Sequence, residues 1–136
     1  EQVARARASR PLRGSSPGST ISALVSAVAL ELVNANPAWC TALRDRAAAL
    51  RAGLRKLGLV VAETPAAIAA FAEGDFAYLR ALQASLFDEG IYVLHSNYIA
   101  AGAGGMIRMS VFGDHTAEDL DRLLAAISRF RTQSAA

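Results

Sequence analysis

Among the side chains of this sequence, the guanidinium of Arg108 is the group best placed to hold a small anion. In Ile107-Arg108-Met109-Ser110-Val111 apolar and polar residues alternate, so an extended segment puts Arg108 and Ser110 together on one face. A planar fork of N–H donors there can grip a carboxylate or phosphate through two parallel hydrogen bonds, a geometry that lysine does not supply. The plainer reading of the same pattern is an arginine solvated on an exposed sheet face.

The other candidates are weaker. His95 ends one expected strand and His115 precedes a helix; either could move a proton, but lone histidines in turns commonly cap or pack. Without a carboxylate at ligand spacing they argue against a metal site. Gly102, Gly104 and Gly105 resemble an anion-cradling loop only in composition, because no GxxxxGK[ST] or GxGxxG follows a strand and opens a helix. Lys56 is the only lysine, near the end of a helix where a solvated cation is ordinary. Cys40 beside Trp39 reads as a small packing residue. No catalytic residue and no metal ligand is assigned.

The elements that would position Arg108 follow from the stretch Met106 to Phe130. Its strand stops at Gly113-Asp114, and Thr116 with Asp119 has the spacing of a capping box. A helix should therefore begin at or beside Thr116, carrying Leu120, Leu123, Leu124 and Ile127 on one side. Upstream, Asn36-Pro37 opens a long helix running to about Leu57 that Gly58 stops, and Asp75 caps a helix through Phe87 that Gly90 closes. Strands are expected at 59–62, 90–95 and 106–112. Thr64 to Glu73 stays open on local grounds: its alanines favour a helix, whereas its position between strands favours a strand. Residues 1–18 are polar, basic and broken by Pro11, Gly14, Pro17 and Gly18, so they read as an irregular lead-in. The segment from Ser19 to Asn36 is apolar on nearly all sides and needs cover on most of them.

Composition bounds the rest. The 136 residues are 53% hydrophobic and 19% charged, which fits one α+β domain over 19–136 with a real core. No apolar run reaches the roughly 18 to 20 residues that cross a bilayer, so a soluble chain with no membrane partner is expected. The formal charge is only +2 and four arginines lie within the first 13 residues; with no interleaved aromatics, a nucleic-acid partner is not expected. One cysteine allows no internal disulfide and no CxxC site, and suits a cytoplasmic protein.

Several stretches, taken in order, resemble one family. Ser9-Arg10-Pro11 ahead of a Ser- and Pro-containing turn and an Ala-rich helix, LRDRAAALRAGLRKLGL, IAAFAEGD, LFDEGIYV and finally IRMSVFGDHTAEDLDRLLAAI are similar to the C-terminal part of the fold-type I pyridoxal-phosphate enzymes, the class I and II aminotransferase superfamily. Within it they look most like the α-oxoamine synthases. The chain departs from them at Pro11-Leu12-Arg13-Gly14 and over Ser96 to Gly105, which lack the family's aromatic and proline patterns.

The resemblance implies a two-layer sandwich: a three- to four-stranded, mainly antiparallel sheet with helices on one face. It decides the open segment in favour of a strand at 67–72. It implies that Arg108 binds the α-carboxylate of an amino-acid substrate. It also implies pyridoxal 5'-phosphate in the complete enzyme, held by a large preceding domain that owns the Schiff-base lysine, so that this chain alone holds no cofactor and is inactive. An acyl-CoA or acyl-carrier thioester as second substrate and a homodimeric enzyme belong to the same expectation. The alternative is a self-standing, non-catalytic α+β module for ligand binding or association.

Overall fold

The computed structural model describes residues 1–8, 19–97 and 101–134. The chain divides into two compact units, Glu1–Pro37 and Ala38–Ala136. In the first, α1 spans Gln2–Ala8 and α2 spans Thr20–Ala35. The lead-in expected to be irregular is thus helical at its start, because QVARARA is rich in the helix formers alanine and arginine; residues 9–18 lie outside the described residues. The Ser19 side chain accepts from the Ser22 N–H at 3.4 Å and opens α2, and Asn36 closes it by donating to the Leu32 carbonyl at 2.8 Å. No residue of α2 is buried. The hydrophobic core draws only on residues beyond α2.

The second unit takes in α3, Pro37–Lys56, from Ala38 onward, and its Ala47, Leu50, Arg51 and Leu54 are buried. Gly58 ends it with φ +83°, while the Leu59 N–H turns back to the Leu54 carbonyl at 3.2 Å. The strand expected at 59–62 is not formed. Leu59 and Val61 are buried and Val60 is exposed, the alternation of a strand, but this backbone bonds to side chains and not to a neighbouring strand. Arg55 donates Nε and Nη2 to the Val61 carbonyl at 3.2 and 3.0 Å. Arg51, 4% exposed, donates Nη1 to the carbonyls of Ala66 and Ile68 at 3.0 and 3.1 Å. Two arginines of α3 thus hold the whole link from 59 to 68.

Then come β1 (Ile68–Phe71), α4 (Phe76–Asp88), β2 (Leu94–Ser96), β3 (Met106–Ser110) and α5 (Ala117–Ser134). Asp75 caps α4 by accepting from the Tyr78 N–H at 2.8 Å. Thr116 and Asp119 form the reciprocal box of α5: the Thr116 N–H donates to the Asp119 carboxylate at 2.8 Å and the Asp119 N–H to the Thr116 hydroxyl at 3.1 Å. The strand at 67–72 is present as β1 despite its alanines. β2 starts later than the expected 90–95, because the Ile91 N–H bonds to Leu86 and the Val93 carbonyl accepts from Gln83 Nε2 at 2.9 Å, tying this segment to α4. β3 ends at Ser110 instead of 112 because Phe112 is drawn into the turn by His115.

The sheet is antiparallel in the order β1-β3-β2. Among the described residues the fold is α+β, five helices with one three-stranded sheet. Ile107 and Met109 on one face of β3 join Leu50 and Leu54 of α3, Leu79, Leu82 and Leu86 of α4, and Leu123 and Ile127 of α5 in one core. Each such side chain stabilises the fold by about 1.5–3 kcal/mol. Among the described residues no single helix is long and apolar enough to cross a membrane.

Candidate functional site

Arg108 lies on the central strand, opposite Ala70 of β1 and Leu94 of β2. The Val111 N–H bonds to the Ala67 carbonyl at 2.9 Å, which fixes the phase of the β1–β3 ladder. With alternation along an antiparallel pair, Ala69–Met109 and Phe71–Ile107 exchange main-chain bonds, whereas Ala70 and Arg108 form a non-hydrogen-bonded pair with Cα atoms about 4.5 Å apart and side chains at their closest. The main chain of Arg108 then bonds towards Leu94. None of the residues sharing its face, Ile68, Ala70, Leu94, Ser96, Met106 and Ser110, belongs to the hydrophobic core.

The side chain is half-buried, and among the described residues it makes no hydrogen bond or ion pair. Five other arginines are committed: Arg51 and Arg55 to main-chain carbonyls, Arg122 to the Glu89 carbonyl, Arg129 to the Glu89 carboxylate at 2.5 Å and Arg131 to Glu73 at 2.8 Å. A half-buried guanidinium with donors to spare, on a rigid strand and beside a methyl group, is suited to a planar anion.

The remaining candidates are structural. His95 points to the opposite face, paired with Ile107. Its Nε2 lies 2.9 Å from the Gly104 carbonyl; a carbonyl only accepts, so this nitrogen carries the proton, and the ring packs on Phe76 at 5.0 Å. His115 uses Nδ1 to accept the Phe112 N–H at 3.2 Å, with its ring against that of Phe112. Gly104 is packed so closely that a Cβ would lie 2.7 Å from the Gly74 carbonyl, so its backbone docks the loop to the chain and does not face an anion. Lys56 is exposed in the last turn of α3 and Cys40 is half-buried in the same helix. Among the described residues no three His, Cys, Asp or Glu side chains come together to hold a metal.

A cleft of about 560 Å³ opens where residues 91–93 leave β3, with Leu50, Leu94, Arg108, Met109, His115 and Asp119 among its walls. Much of that wall is core-facing side chain, with Arg108 at the margin. The Thr116 amide, and after it the Thr116 hydroxyl, hold the Asp119 carboxyl below its ordinary pKa. The cleft thus holds the Asp119 carboxylate together with the guanidiniums of Arg108 and Arg122 and the ring of His115. Sequence reasoning singled out Arg108 as the candidate but not its neighbour Ala70, whose place beside it depends on a pairing between distant segments.

The model of the aminotransferase class I and II family matches residues 3–127. Among solved structures, a serine palmitoyltransferase of Sphingomonas wittichii is 28% identical with a TM-score of 0.63, over 70% of this chain and 25% of that one. The serine palmitoyltransferase of S. paucimobilis with a bound PLP–myriocin aldimine is 27% identical with a TM-score of 0.62, over 71% and 25%. The 8-amino-7-oxononanoate synthase of Francisella tularensis, 21% identical, shares the fold with a TM-score of 0.68 over 84% and 32%. No curated protein matches the sequence. The chain spans about a quarter of the length of the serine palmitoyltransferases it resembles.

Proposed function

The chain belongs to the aminotransferase class I and II family, and from that premise we propose that it is the substrate-carboxylate-binding portion of a pyridoxal-phosphate-dependent transferase acting on an amino acid. The observation that carries this reading is the Arg108 guanidinium, half-buried on the central strand and without a partner among the described residues. Two parallel N–H···O bonds would fix the plane of the α-carboxylate and with it the direction of the other substituents on the substrate's α-carbon. The names of the serine palmitoyltransferases favour acyl transfer from a thioester to the amino acid over transamination. A homodimer is part of the same reading.

Among the described residues we find no set that fits the cofactor itself. The chain's only lysine is exposed at the end of α3, and Gly104 is packed on backbone. Pyridoxal phosphate, which supplies an electron sink for bond breaking at the substrate α-carbon, is therefore assigned to the rest of the complete enzyme.

The test is Arg108→Ala and Arg108→Lys in the intact enzyme, with the standard L-amino acids titrated against the absorbance of the bound cofactor. Hydrogen bonds to charged groups are worth about 1.5–3 kcal/mol each, so both variants should weaken the best-binding amino acid by about tenfold to a thousandfold. Lysine should not rescue, because a point charge cannot supply the paired planar donors. Cofactor absorbance and thermal stability should stay as they are. A variant that unfolds more easily but binds normally per folded molecule would make Arg108 structural and end the proposal.

A further inference from the structure

β1 carries two successive alanines, Ala69 and Ala70, and only the first is explained by packing. Ala69 faces the helices and is 2% exposed, inside the core, where a larger side chain would not fit. Ala70 faces the other way, half-buried and outside that core. Alanine is a poor strand residue, and β-branched or aromatic side chains suit a half-buried sheet position better. Its partner across the ladder is Arg108, in the pair type that brings side chains closest. On the other flank of Arg108 stands Leu94, 39% exposed, and two pairs further along the ladder, on the same face, Ile68 stands opposite Ser110. The methyl of Ala70 is thus a low point of the face directly beside the guanidinium, with the larger Ile68 next to it along β1.

We propose that Ala70 is a specificity-determining residue of the anion site: it leaves free the space on the β1 side of the Arg108 guanidinium in which the substrate carboxylate seats. This rests on the carboxylate reading of Arg108 and adds the side from which the carboxylate approaches. A valine or leucine at this position would stand where the carboxylate oxygens must lie. The effect falls on ligands that carry a carboxylate and spares those that lack one.

The test uses the intact enzyme with Ala70→Val, Ala70→Leu and Arg108→Ala. Each is titrated with the tightest-binding L-amino acid and with the amine left when its carboxylate is removed. Ala70→Val keeps a strong strand former at the position, so the question stays answerable if the leucine variant folds poorly. Affinity for the amino acid should fall progressively from alanine to valine to leucine, by about tenfold or more at leucine, the scale on which added methylenes change discrimination in a fitted site. Affinity for the amine should hold, so the preference for the amino acid shrinks. Equal losses for both ligands would mark Ala70 as merely structural and overturn the proposal. Wild-type affinity in both Ala70 variants, with Arg108→Ala impaired, would overturn it while leaving the carboxylate reading in place. Normal affinity in Arg108→Ala would remove both together.

Discussion

Replacing Arg51 by methionine keeps most of the volume of a nearly buried side chain and removes its fork. Two bonds from a charged donor disappear, those to the Ala66 and Ile68 carbonyls at 3.0 and 3.1 Å, and the two acceptors lose their partner. Leaving a buried acceptor unsatisfied costs about 1–3 kcal/mol, so with one carbonyl able to find water the loss should be about 3 kcal/mol. The carboxylate of Glu63 contributes little of this: it lies 3.8 Å from Arg51 Nε and is 74% exposed, the setting in which ion pairs are worth under about 1 kcal/mol. Native-state hydrogen exchange at the Ala69 and Phe71 amides, which face β3, reads the effect locally. Those amides should exchange about a hundredfold faster in Arg51→Met, since each 1.4 kcal/mol is a factor of ten, and hardly faster in Glu63→Gln. An acceleration below about tenfold in Arg51→Met would mean that β1 is held by its ladder and core contacts, and the account of the 59–68 link given above would be wrong.

The α5 cap makes a prediction about pH. The folded-state pKa of Asp119 is depressed by Thr116, so the cap contributes fully above the ordinary carboxylate range, about pH 4, and is lost as pH falls through the lower folded value. The difference in thermal midpoint between the natural protein and Asp119→Ala should be constant near neutrality and shrink below about pH 4; a gap that persists in acid would rule the cap out as its source. His95→Phe keeps a ring on Phe76 but removes the bond to Gly104. It should speed exchange of the Gly105 amide by about fivefold to tenfold, as loss of a bond worth about 1 kcal/mol requires, and leave α5 unchanged. An unaltered Gly105 amide would show that the loop is held by its glycine packing alone.

What could be read from the sequence was mostly what is local. The caps at Asp75 and Thr116, the stops at Gly58 and Gly90 and the alternation that exposes Arg108 all depend on residues within a few positions of each other. The strand at 67–72 was legible only through the family resemblance, because alanines carry no strand signal of their own. Residues 59–62 misled for the opposite reason. Their alternation is that of a strand, but Arg55 supplies the bonds a neighbouring strand would have supplied. Arg51 was equally opaque, since an arginine in an amphipathic helix reads as solvent-facing until the segment it clamps is known. The pairing of Ala70 with Arg108 joins residues 38 positions apart, and nothing in either neighbourhood announces it.

The arginine clamp has a consequence for how this small sheet meets other protein. The outer side of β1 has its Ile68 carbonyl occupied by Arg51, and the extension of β2 has its Val93 carbonyl occupied by Gln83. An incoming strand would have to displace a helix-borne side chain at either border before it could continue the hydrogen-bond ladder. Growth by adding strands is thereby discouraged at both margins. What the clamps leave open is side-chain surface, of which the face bearing Arg108 is one.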